Sequence, residues 1–170
     1  MNILEKIRKH RADQGGFTLI ELLVVIGLLA ILLAITLIAI NPNKHFEDAR
    51  NAQRSSDVDS ILDAVYDYES DNNGNLPAAL SGLSTTPEEL CHSTAGTATC
   101  PLGNQIDLCS ALVPTYIADL PRDPSLGAGG TNCTTNSDYD TGYQISEATG
   151  GRLTVYAPDA EDGQTIQVTR

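Results

Sequence analysis

The chain has 170 residues and a formal net charge of −12, with 22 acidic against 10 basic side chains. That balance argues against general nucleic-acid binding, which needs clustered Lys and Arg to meet phosphates. The length leaves room for one small domain beside a long helix and excludes a multidomain enzyme. At the start, Met1 to Gly16 is basic, with Lys6, Arg8, Lys9 and Arg11 against Glu5 and Asp13. From Phe17 to Ile40 run 24 residues in which only Thr18, Glu21 and Thr36 carry polar side chains. As a helix this segment spans about 36 Å, enough to cross a bilayer core of about 30 Å. Basic residues just before such a helix hold that end in the cytoplasm and orient the rest outward. A secretory signal peptide would have a shorter apolar stretch, of about 7 to 15 residues, and a small-x-small cleavage site after it; no Ala-x-Ala precedes Asn41. Glu21 is out of place in a plain signal anchor, because a carboxylate costs about 2.5 to 3.5 kcal/mol near the bilayer centre and less toward the interface.

The run Gly16-Phe17-Thr18-Leu19-Ile20-Glu21 resembles the processing site of the type IV pilin and pseudopilin family. The resemblance implies cleavage after Gly16 by a membrane peptidase that also methylates the new terminus at Phe17. It also implies a role for Glu21 in assembly. Cleavage would leave an ammonium on Phe17, and burying it in a filament requires a negative partner, which Glu21 of an adjacent subunit would supply. Losing residues 1–16 removes four basic and two acidic side chains, so the charge moves from −12 to −14. Two departures stand out: Gln14-Gly15-Gly16 replaces the basic residue often found next to the glycine, and the proline often found inside the membrane helix is absent, Pro42 arriving later.

Asn41-Pro42-Asn43 suits a helix start, with Asn41 as cap and Pro42 at the first position. Because Pro42 lacks an N–H, a kink or short break is expected there rather than a straight rod. Val58, Ile61, Leu62, Val65 and Tyr66 follow the i, i+3, i+4, i+7, i+8 pattern of one helix face, so a helix is expected to about Asn72. Lys44, Arg50 and Arg54, interleaved with Glu47, Asp48 and Asp57, read as a solvated or subunit-contacting face. Asn72-Asn73-Gly74 with Pro77 is a helix stop. This stop, and Leu120-Pro121-Arg122-Asp123-Pro124, resemble segments of pilins and of the major pseudopilins of type II secretion. Thr86-Pro87-Glu88-Glu89-Leu90 carries the signature of a short helix start, and Ile106 to Ile117 that of a second short helix ended or bent at Pro114. The tail alternates with period two at Tyr143 and Ile145, at Leu153, Val155 and Ala157, and at Ile166 and Val168. Three antiparallel strands in a meander would place those residues on the amphipathic helix.

Cys91, Cys100, Cys109 and Cys133 are even in number in an outward-facing domain, which suggests two disulfides. Three pairings are open, and the local one, Cys91 with Cys100 and Cys109 with Cys133, is the expectation. A zinc site competes, without any Cys-x-x-Cys pair to support it. Asp138, Asp140, Asp159, Glu161 and Asp162 flank the strands as weak calcium candidates, since hard oxygen ligands from two loops suit that ion; the resemblance adds that major pseudopilins bind calcium in this region. His10, His45 and His92 lie in no catalytic arrangement, and there is no Gly-x-Ser-x-Gly, phosphate loop or His-Glu-x-x-His. No catalytic residue is named, and no cofactor beyond calcium.

The expectation is therefore an α+β chain with a pilin-like fold: leader 1–16, membrane and filament-core helix 17–40, amphipathic helix 41–74, and an extracytoplasmic headgroup 75–170 with stapled loops and a small antiparallel sheet. By resemblance its partners are the prepilin peptidase and methylase, identical and related pilin subunits, the inner-membrane assembly platform, and the cytoplasmic membrane before assembly. Its location follows, a single-pass membrane protein that becomes an extracellular or periplasmic filament. The function expected is a type IV pilus subunit. Alternatives are a major pseudopilin of a type II secretion system, and a minor or tip subunit that binds a surface or DNA.

Overall fold

A computed structural model describes residues 16–93, 105–126, 133 and 138–170. The chain divides after Pro42 into two compact units. The first contains helix α1, Leu19–Ile40, uniformly apolar from Leu22 onward apart from Thr36, whose hydroxyl donates to the Leu33 carbonyl at 2.9 Å. None of its residues is buried, and its large apolar side chains remain 51% to 84% exposed. Among the described residues α1 is the one helix long and apolar enough to cross a membrane. It ends at Asn41, whose backbone turns left-handed at φ 43° and ψ 75°, so the expected break falls one residue before Pro42.

The second unit is a helix laid on a sheet. Helix α2, Pro42–Asp71, presents Val58, Ile61, Leu62 and Val65, all fully buried, at the spacing that lines one face. It stops where Asn73 and Gly74 turn left-handed, the Gly74 amide donating back to the Glu69 carbonyl at 2.9 Å. The sheet is an antiparallel meander β1-β2-β3-β4, formed by Glu88–His92, Tyr139–Ala148, Arg152–Ala157 and Ile166–Thr169. Tyr143, Ile145, Leu153, Val155 and Ala157 join the α2 stripe in one core, with Ile166 and Val168 packed at its margin. The period-two reading of the tail thus corresponds to the face that covers α2.

Three expectations need correction. Thr86 to Leu90 does not start a helix; Glu88–His92 is strand β1, so the sheet has four strands rather than three. The long strand β2 offers an unpaired edge, and pairing there satisfies backbone groups and buries Leu90 and Cys91 together, which an isolated helical turn would leave wet. Second, the helix expected over Ile106 to Ile117 shrinks to α3, Cys109–Leu112. Third, Arg54 does not share a solvated or subunit-contacting face with Lys44 and Arg50, because it is wholly buried while Lys44 stays exposed. Arg54 lies four residues before Val58 and seven before Ile61, and Asn51 seven before Val58, on the same stripe as the apolar core, so the fold carries them inward.

Candidate processing and assembly site

Thr18 caps α1 with extended backbone, φ −77° and ψ 150°. Its hydroxyl oxygen accepts from the Glu21 amide at 3.2 Å. In return, Glu21 Oε2 accepts from the Thr18 amide at 2.8 Å and from the Thr18 hydroxyl at 2.7 Å. This reciprocal box satisfies helix-start donors that otherwise lack a partner. It also places the carboxylate beside the backbone that follows Phe17, a negative group at the positive end of the helix dipole. Oε1 of Glu21 accepts no hydrogen bond among the described residues. Phe17 is 91% exposed, and a Cβ added at Gly16 would meet nothing within 4 Å. Among the described residues, nothing in the packing therefore calls for glycine at position 16. Gly16, Phe17 and Glu21 are brought to one helix end, where a scissile bond, a new terminus and a carboxylate would lie within a few residues.

In the headgroup unit the functional candidates scatter. Cys109 is joined to Cys133, and Cys91 is also disulfide-bonded; Cys100 lies outside the described residues. Of the acidic candidates, Glu161 accepts from Arg50 at 2.5 and 2.6 Å and from Arg54 at 2.8 Å. Asp162 is ion-paired with Lys44, Asp140 Oδ1 accepts from the Gly142 amide at 3.0 Å, and Asp159 is exposed. Asp138 precedes β2. Among the described residues no three His, Cys, Asp or Glu side chains gather to hold a metal ion.

The strongest polar constellation was not among the expected sites. Arg54 grips Asp123 with two parallel bonds, Nε to Oδ2 at 2.7 Å and Nη2 to Oδ1 at 3.0 Å, with both side chains fully buried. Its Nη1 donates to Asn51 Oδ1 at 2.9 Å and to Glu161, while Asn51 and Glu161 also exchange side-chain-to-backbone bonds at 2.9 and 3.0 Å. Asp123 Oδ1 additionally accepts from the Ser125 amide and hydroxyl at 2.8 and 2.6 Å. Burial would push the Asp123 carboxyl up, but the bonds from Arg54 and Ser125 outweigh it and hold it below the usual range. Hydrogen bonds from Arg50 and then Arg54 bring Glu161 down to about 2. Nearby, burial raises Asp57 despite the bond it accepts from the Tyr143 hydroxyl at 2.7 Å. The signal available in the sequence was phase: Asn51 and Arg54 extend the buried stripe by two turns.

A family model described as the prokaryotic N-terminal methylation motif matches residues 11–37. The chain carries the hallmark motif of type IV pilin and pseudopilin precursors. The match covers Gly16, Phe17, Thr18, Glu21 and most of α1. The motif implies processing by prepilin peptidase and assembly with other pilin-type subunits. The one membrane-capable helix among the described residues falls at the motif, as a membrane-anchored precursor requires. No curated protein and no solved structure matches the chain.

Proposed function

We propose that the precursor is cut between Gly16 and Phe17, methylated on Phe17, and polymerised through α1 into the core of an extracytoplasmic type IV pilus. The observation that carries this reading is a methylation motif coinciding with an exposed apolar helix whose one carboxylate is fixed at its first turn. A helix with every large apolar side chain exposed requires lipid before assembly and neighbouring helices after it. The Glu21 carboxylate, with Oε1 unoccupied, pairs in the filament with the Phe17 ammonium of an adjacent subunit and so sets axial register. The disulfide between Cys109 and Cys133 supports an exposed, oxidising location.

A pseudopilin is the second reading, favoured by the way the Leu120 to Pro124 segment, which resembles pseudopilins, is anchored through Asp123 to α2. Shearing cells and sequencing the terminal peptide by mass spectrometry separates these. Methylated Phe17 abundant in the sheared fraction is expected for a pilus subunit. The same terminus confined to membranes would favour the pseudopilin, and Met1 retained in every fraction would overturn processing altogether.

A further inference from the structure

Phe46, in the second turn of α2, is 63% exposed. Among the described residues every other exposed large apolar side chain belongs to residues 17–40, and Phe17 is the only other exposed aromatic. The helix phase accounts for this. Phe46 lies twelve residues before Val58, which at about 100° per residue turns it about 120° away from that buried position. The headgroup core therefore leaves the ring outside. A single exposed apolar residue is ordinary; what marks this one is its place in the chain and the charge around it.

The 22 residues of α1 run about 33 Å, just over the roughly 30 Å of a hydrocarbon core. From Ile40 to Phe46 the chain takes two steps of about 3.8 Å and then four helical rises of about 1.5 Å, a span of at most about 14 Å whatever direction α2 takes from the break at Asn41. The headgroup layer beside the core is about 5 to 8 Å deep, so the outer one is within reach of the ring. Charge points the same way. The basic residues of α2 are Lys44, Arg50 and Arg54, all in its first thirteen residues, whereas Asp57 to Asp71 carries six acids and no Lys or Arg. Glu161 and Asp162, which meet the start of α2, are neutralised there by Arg50, Arg54 and Lys44. The beginning of α2 thus does not repel a phosphate surface as its far end does. An aromatic ring among cations just past a membrane span is the composition of an interfacial anchor.

We propose that the start of α2 anchors the precursor to the membrane surface, Phe46 seating in the outer headgroup layer of a phospholipid bilayer. The proposal rests on the reading of α1 as a membrane span and holds equally for a pilus or a pseudopilus subunit. The ring fixes the depth of α1 and keeps the start of α2 at the lipid surface. Leaving the bilayer for a filament then costs the lipid contact of Phe46 as well as that of α1.

The sequence contains no Trp, so a Trp placed by substitution reports its own depth by fluorescence. The full-length chain is reconstituted in vesicles of phosphatidylcholine and phosphatidylglycerol, and three variants are compared: L29W in the middle of α1, F46W, and S70W at an exposed position near the far end of α2. L29W is expected to lose emission mainly to lipids brominated near the ends of their acyl chains. F46W is expected to shift to the blue and lose emission mainly to lipids brominated close to the headgroup, and S70W to do neither. F46W behaving like S70W, with L29W still quenched, would overturn the anchor, leave the ring to a neighbouring subunit and let the membrane reading of α1 stand. Equal quenching of S70W and F46W would also overturn it, as adsorption of the whole headgroup unit. L29W unquenched would remove the membrane span, and the anchor with it. Because Trp itself favours the interface, the native ring is read too. Phe46 is one of two Phe in the chain, and its ring protons in the wild-type protein, assigned by their loss in F46S, should be broadened by lipid carrying a spin label on the headgroup. Unbroadened Phe46 protons would overturn the proposal whatever F46W shows.

Discussion

Replacing Arg54 with methionine tests the reasoning about the headgroup most directly. Arg54 and Asp123 are fully buried and joined by two bonds at 2.7 and 3.0 Å. In R54M, Asp123 Oδ1 keeps its bonds from Ser125 and Glu161 keeps Arg50, but Asp123 Oδ2 loses its donor in a dry site. Removing one partner of a buried pair costs about 3 to 5 kcal/mol. A domain of this size has a total stability of about 5 to 15 kcal/mol, so R54M is expected to lose about a fifth of it or more. At about 3 °C per kcal/mol, the thermal midpoint should fall by about 10 to 15 °C. Circular dichroism of the detergent-solubilised chain at pH 7 reads this, with D123L and R54M/D123L completing a cycle. The double variant removes both charges and should recover much of the loss, since an apolar pair of similar volume is often neutral. A loss below about 1 kcal/mol in R54M would refute the claim that this pair holds the Leu120 to Pro124 segment on α2.

Other expectations follow from the same packing. The Glu161 carboxyl is lowered from 4.5 to about 2, so its contribution is complete above pH 4.5 and disappears as pH falls toward 2. Asp123 is lowered as well and acts in the same direction, while the raised Asp57 opposes both; acid titration of the thermal midpoint should fall less steeply in E161Q than in wild type. Gly142 has φ +75°, and a Cβ there would lie 2.8 Å from Leu126 Cδ1 and 2.9 Å from Asp123 Cβ. G142A should therefore cost about 2 kcal/mol or more in urea unfolding, and an unchanged midpoint would contradict the close approach of β2 to this segment. The bridge between Cys109 and Cys133 closes a loop with a sequence separation of 24, and C109S/C133S should lose about 3 kcal/mol, measured against wild type under oxidising conditions. T18A removes the hydroxyl half of the reciprocal box at α1 and should destabilise that end by about 1 kcal/mol, visible as faster amide exchange at Glu21 in detergent.

Much of this molecule was legible because its determinants are local and periodic. Phe17 to Ile40 could only be a helix for an apolar medium, and Val58 to Val65 named one face of α2. The turn at Asn73 and Gly74 needed only its own residues, and period two revealed β2, β3 and β4. Tertiary structure decided what depends on distant partners. Glu88 to His92 became a strand because β2, some fifty residues on, offered an edge to pair, overriding local helix-start chemistry. Arg54 appeared to be a surface cation among acids because its charge pattern was read locally. Its burial required Asp123, which is 69 residues away, and Glu161, which is 107 away. Periodicity specifies which face of an element turns inward, whereas the partner that makes a buried charge tolerable is chosen only when the chain closes around it.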